Sequence, residues 1–128
     1  MGHDRPEVQA LGDRATMFLR AAYDDLKDDR FDLAAFHSEQ AVQLALKYIL
    51  AKQLGHFPHT HSLIELFESV KSVRQDLYDF YRSKRYLVEV MSDAYIASRY
   101  LPRSYSRETA EALVSCAKEF LSVVGLWR

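Results

Sequence analysis

Four glycines and three prolines in 128 residues leave very few places where a helix is forced to stop. They fall at the edges of segments whose apolar residues recur every three or four positions, the spacing of a helix with one buried face. Pro6 suits a first helical turn. Val8, Leu11, Ala15, Phe18, Leu19, Ala22 and Leu26 then form one stripe, which predicts a first helix from about residue 6 to about 29. The charged break "KDDR" precedes Asp32, a candidate N-cap. A second helix carries Phe36, Ala41, Leu44, Ala45, Tyr48 and Ile49, and Gly55 stops it.

Ser62 with Glu65 makes a capping-box pattern that opens a shorter third helix at "HSLIELFESV". From about Leu77 to Arg99 there is no glycine or proline, which predicts one long, tyrosine-rich fourth helix ended by Pro102. Ser106 caps the fifth, "RETAEALVSCAKEFLSVV", and Gly125 follows it. No stretch alternates as a strand does, and none repeats. The expected architecture is all-α, an up-and-down four-helix bundle with an additional short helix, in a single domain spanning residues 1–128.

A formal net charge of −1 offers no global attraction for nucleic acid or anionic lipid, so any phosphate contact needs a local patch. The only cysteine, Cys116, sits in a helical stretch as a buried thiol and fits a reducing compartment. No run approaches the roughly 20 apolar residues of a membrane span, and "MGHDRPEV" lacks the apolar segment of a signal peptide. A cytoplasmic protein without membrane association is expected.

Three of the five histidines crowd into "GHFPHTH", residues 55 to 61. Three imidazoles plus water make a common zinc set. His56, His59 and His61, however, straddle Pro58 with no cysteine nearby, so the stretch reads as the turn between helices two and three. No metal is expected there.

The stretches "DLAAFHSEQAVQLALKYIL", "GHFPHTHSLIELF" and "DAYIASRYLPRSY" together resemble the HEPN domain family, in order and over nearly the whole chain. The most telling pieces are Gln40 and Ala41 with Lys47 beyond them, Pro-x-Thr-His-x-Leu at Pro58 to Leu63, and Ser98-Arg99-Tyr100 followed by Pro102. The resemblance implies a bundle of four or five helices, usually homodimeric. It also implies pairing with a small nucleotidyltransferase, a nucleotide or RNA as ligand, and no cofactor. Many prokaryotic members belong to toxin-antitoxin pairs as metal-independent ribonucleases, with an arginine at a helix end and, after four to six intervening residues, a histidine. Here Arg99 fits the arginine, but Ser104, Tyr105 and Ser106 occupy the histidine's place. Phenol, with a pKa near 10, is a poor proton carrier at neutral pH.

A phosphate site is expected at the junction of helices four and five. Arg99, Arg103 and Arg107 cluster there beside the free N–H groups of a helix start, and Tyr95, Tyr100 or Tyr105 is available to stack on a base. Alternatively these arginines form surface pairs with Asp93, Glu108 and Glu111. On helix two, His37, Gln40 and Lys47 depart from the apolar stripe along one side, either as ligand contacts or as structural polar residues. Tyr78, Tyr81 and Tyr86 read as packing residues of a homodimer face.

The leading expectation is a binding module rather than an enzyme, with Arg99, Arg103, Tyr105, Tyr95, His37, Gln40, Lys47 and His61 at its nucleotide site. A ribonuclease using Arg99 and Tyr105, or recruiting His37 or His61 as its proton carrier, is the alternative. A bundle that only holds a partner protein is the third.

Overall fold

The structure is a computed structural model that describes residues 5–100 and 104–128, with the side chains of 98–100 outside the description. Six helices and no strands occur among the described residues. They are α1 (Pro6–Lys27), α2 (Phe31–Leu54), α3 (Leu63–Val70), α4 (Gln75–Ser83), α5 (Arg85–Tyr100) and α6 (Arg107–Val123). The all-helical expectation holds, and the number of helices is one more than expected.

α2 is the central element. It packs against α1, α3, α5 and α6, while α1 and α5 both also meet α6. Its burial is correspondingly broad, running from Ala34 and Ala35 through Ala41, Val42, Ala45 and Leu46 to Leu50 and Ala51. α2 keeps only a narrow, partly exposed strip through Leu33, Phe36, His37, Gln40 and Leu44, and Ser38, Glu39, Gln43 and Lys47 are buried with the apolar residues.

Both expected serine caps are present. Ser62 Oγ accepts the Glu65 N–H at 3.2 Å, and Ser106 Oγ accepts the Thr109 N–H at 3.1 Å. At the α3 cap Glu65 bonds the Thr60 hydroxyl, whose oxygen accepts the Ser62 N–H at 3.1 Å, so a threonine is interposed in the capping box. Gly55 ends α2 in the left-handed region at φ 85°. Asp32 is not the cap of α2. The helix begins one residue before it, behind Arg30, which makes no side-chain cap. α1 ends at Lys27, and Asp29 turns the chain with φ 57° while the Arg30 N–H reaches back to the Asp25 carbonyl at 2.8 Å.

The long tyrosine-rich helix is in fact two. A turn at Lys84 separates α4 from α5 with neither glycine nor proline involved, and the Lys84 N–H bonds both the Phe80 and the Tyr81 carbonyls. Packing explains the break. α4 stacks Tyr81 on Phe67 at 5.1 Å and sets Phe80 against Phe120 at 5.3 Å, whereas α5 delivers Val88, Met91 and Ala94 to the core. Tertiary contacts override a local sequence that favours continuation.

Two other expectations need correction. Tyr81 is buried within its own chain and so is no part of a dimer face, and Tyr78 lies edge-on to it at 5.7 Å; Tyr86 is 76% exposed. Gly12 lies inside α1, not at an edge. A Cβ there meets Leu126 Cδ2 at 3.1 Å and the Tyr48 ring at 3.2 Å, so the missing side chain is what lets α1, α2 and the C-terminal turn approach closely.

Cys116 is buried, and burial pushes its thiol up to about 11, away from reactive thiolate. No helix of the described residues is long and apolar enough to cross a membrane.

Candidate functional site

Four of the expected residues meet where α2, the α2–α3 loop and α5 come together. α2 presents Glu39, Gln43 and Lys47 at successive four-residue steps, which places them on one face. Lys47 Nζ donates to Gln43 Oε1 at 3.0 Å, and Gln43 Nε2 donates to Glu39 Oε2 at 2.8 Å. Gln40 Nε2 donates to the other carboxylate oxygen, Glu39 Oε1, at 2.7 Å. His61, arriving on the loop, places Nδ1 3.0 Å from Gln43 Oε1, and its carbonyl accepts a longer 3.4 Å bond from Gln43 Nε2.

The His61 ring stacks on Tyr95 of α5, with centroids 5.4 Å apart and planes 19° apart. Tyr95 in turn stacks on Phe36 at 6.5 Å, so a row of rings continues back to α2. Position 99 lies one helical turn beyond Tyr95 on the same face of α5. The bond between His61 Nδ1 and Gln43 ties the imidazole to α2, while His61 stays exposed.

Burial dominates the electrostatics of this seam. It pushes the fully enclosed Glu39 carboxyl from its ordinary 4.5 up to about 7, against the two glutamine hydrogen bonds and the Lys47 charge, which pull it down. Burial also lowers the Lys47 ammonium below its ordinary value, with Glu39 acting in the opposite sense. Nζ additionally lies over the Phe57 ring at 5.6 Å. Lys47 is 8% exposed and is already engaged by Gln43, so its position is that of a supporting cation.

His37 departs from the expected trio. Its Nδ1 sits 2.6 Å from Asp25 Oδ2 on α1, and Arg30 Nε donates to Asp25 Oδ1 at 3.2 Å. It therefore faces α1, although its ring still lies 5.5 Å from Phe36 and so touches the end of the aromatic row.

Tyr105 is placed elsewhere. With Ser104 it lines an open groove of about 430 Å³ against Asp29, Arg30, Phe31, Asp32 and Leu33, at the turn between α1 and α2. Its hydroxyl is buried without a hydrogen-bond partner among the described residues. Arg107 pairs with Asp29 and lies over the Phe31 ring at 5.0 Å, so its partner is neither Glu108 nor Glu111 nor Asp93. The described part of this junction carries aspartates beside each arginine, which weakens it as an anion site. Arg103, and the side chains of Arg99 and Tyr100, lie outside the described residues.

The histidine stretch is a loop between α2 and α3, as expected. His61 is committed to Gln43 and Tyr95, and His59 lies 6.3 Å from Phe57. Among the described residues no group of three or more histidine, cysteine, aspartate or glutamate side chains is placed to hold a metal ion.

Sequence reasoning missed Glu39, Gln43 and Asp25. The first two carried a signal, because Glu39, Gln43 and Lys47 repeat every four residues within an apolar helix. Asp25 carried none, because its partner His37 comes from a different helix.

No curated protein matches the sequence. The model of the HEPN domain family matches residues 8–127, from the start of the buried face of α1 to the C-terminal turn, and the chain belongs to that family.

Proposed function

We propose that this chain, as one domain, binds a nucleotide or single-stranded RNA along the seam of α2, the α2–α3 loop and α5. The observation that carries the reading is His61 stacked on Tyr95 and bonded to Gln43, one helical turn before position 99. Exposed imidazole, a tyrosine face and the Arg99 cation supply the groups that a base and a phosphate need, since bases stack on aromatic side chains and arginine forks grip phosphate oxygens. In this reading α1, α2, α5 and α6 are the up-and-down bundle, and α3 and α4 are additions that set the loop and the α5 register. A homodimer working with a small nucleotidyltransferase, in a toxin-antitoxin-like pair, completes the proposal. The exposed Tyr86 and Ile96 of α5 suit such protein contacts.

The test is an anisotropy titration of a fluorescent oligouridylate, with a nucleoside triphosphate as competitor. Wild-type protein is expected to bind, and His61→Ala and Arg99→Ala to weaken binding about tenfold or more, the scale of one lost stacking or charged contact. Lys118→Ala, on the exposed side of α6, serves as the control and is expected to change nothing. Equal affinity in all four proteins contradicts the reading.

The ribonuclease reading gains from one specific observation. His61 is an exposed imidazole already hydrogen-bonded on one nitrogen, the arrangement of a general base or acid. Cleavage of the same oligouridylate in the presence of EDTA, abolished by His61→Ala, would establish it. Binding without cleavage would leave the binding module.

A further inference from the structure

The hydrogen bonds behind His61 determine which of its nitrogens exchanges a proton. Gln43 has one acceptor end and one donor end, and its surroundings fix which is which. The Lys47 ammonium has three donors and no acceptor, so the atom it bonds at 3.0 Å is the amide oxygen. The nitrogen end faces a Glu39 carboxyl oxygen at 2.8 Å and the His61 carbonyl at 3.4 Å, and a backbone carbonyl can only accept. Rotating the amide by half a turn would set Nε2 against the Lys47 ammonium and the oxygen against that carbonyl, losing bonds at both ends. All three groups are buried or shielded: Glu39 is fully enclosed, Gln43 is 3% exposed and Lys47 8%, so water does not compensate.

With Oε1 so fixed, His61 Nδ1 at 3.0 Å must carry hydrogen and donate. We infer that Gln43 and Lys47 are positioning residues that hold His61 in its Nδ1–H form, so that Nε2 is the atom that meets the ligand. Neutral His61 then offers the Nε2 lone pair to a ribose hydroxyl, and protonated His61 offers an Nε2–H to a phosphate oxygen. The stack on Tyr95 fixes the ring plane, and the Gln43 bond fixes its rotation within that plane. A histidine side chain free in water favours the opposite form, with hydrogen on Nε2, so the arrangement imposes a measurable change. This assignment refines the proposed binding seam and rests on it for its purpose, but the form of the ring is a property of the free protein.

Long-range ¹⁵N–¹H correlation spectra of the free protein, recorded above the pH at which His61 takes its second proton, read the form directly. The expected pattern is a protonated, pyrrole-type Nδ1 and an unprotonated Nε2. Gln43→Met removes the acceptor while keeping side-chain length, and is expected to return the ring toward the Nε2–H majority of a solvated histidine side chain. Gln43→Met/Lys47→Met does the same without leaving a buried ammonium unpaired, and covers the case in which the single variant fails to fold. A wild-type spectrum dominated by Nε2–H overturns the inference, as does an unchanged pattern in a folded variant lacking Gln43. Adding oligouridylate then tests the seam separately: a shift at Nε2 with Nδ1 held supports both claims. No shift at any concentration leaves the positioning intact and removes the binding reading.

Discussion

Glu39 is a carboxylic acid with no solvent exposure, flanked by two glutamine amides and backed by a lysine that it does not touch directly. Because its folded pKa is raised, the folded state binds a proton that the unfolded chain has already released. Its contribution to stability is therefore fully present below the unfolded value near 4.5 and is lost as pH rises to about 7. The loss is on the order of 3 kcal/mol for a shift of this size. Urea denaturation at a series of pH values should show this decline in wild-type protein. Glu39→Gln, which resembles the neutral acid, should flatten it, and parallel curves for the two proteins would contradict the assignment. Below pH 7 the proton has one evident place: Gln43 is held by Lys47, so Gln40 is the amide free to turn and accept from Glu39. At this scale the sequence shows which residues break the apolar pattern, and His37, Gln40, Lys47 and His61 all prove to be engaged polar side chains. It does not show that Glu39 is enclosed, because burial of most of the α2 surface depends on four neighbouring helices.

Capping and close approach decide the behaviour of the individual helices. Ser106→Ala removes the acceptor for the Thr109 N–H at the start of α6 and should cost about 1 kcal/mol in equilibrium unfolding. A change within a few tenths would show that the cap contributes little. Gly12→Val pushes a branched side chain into Tyr48 and Leu126 and should destabilise by about 1–3 kcal/mol, the range for overpacking. A gain in melting temperature would mean that the C-terminal turn yields easily. The caps of α3 and α6 are legible in sequence because serine and glutamate spacing is local chemistry. The break at Lys84 is not, since it arises from where Phe67 and Phe120 receive Tyr81 and Phe80, and those partners are distant in sequence. Gly12 is the converse case, a helix breaker whose packing role outweighs its low propensity.

Across the whole molecule, one central helix organises both the core and the candidate site. α2 contributes the polar ladder, α5 the tyrosine and position 99, and the loop between α2 and α3 the imidazole, so the seam exists only in the folded array. The expected site thus divides. Tyr95, Gln40, Lys47 and His61 converge on the seam, His37 touches its edge, and Tyr105 belongs to the aspartate-lined groove by the α1–α2 turn. The family was legible from ordered motifs along the chain, and those stretches already contain Gln40, Lys47, His61 and Tyr95 of the candidate site. The separation of Tyr105 from them was not legible, because it depends on residues 104–105 packing against the α1–α2 turn, which is distant in sequence. If binding along this seam uses the Arg99 charge, as proposed, it should weaken as salt increases.

The most direct measurement is a map of backbone amide shifts as oligouridylate is added to ¹⁵N-labelled protein. The largest changes are expected at Gln40, His61, Tyr95 and Arg99, with smaller ones along the same turn of α5. Changes confined to residues 29–33 and 104–107, at the other groove, would contradict it.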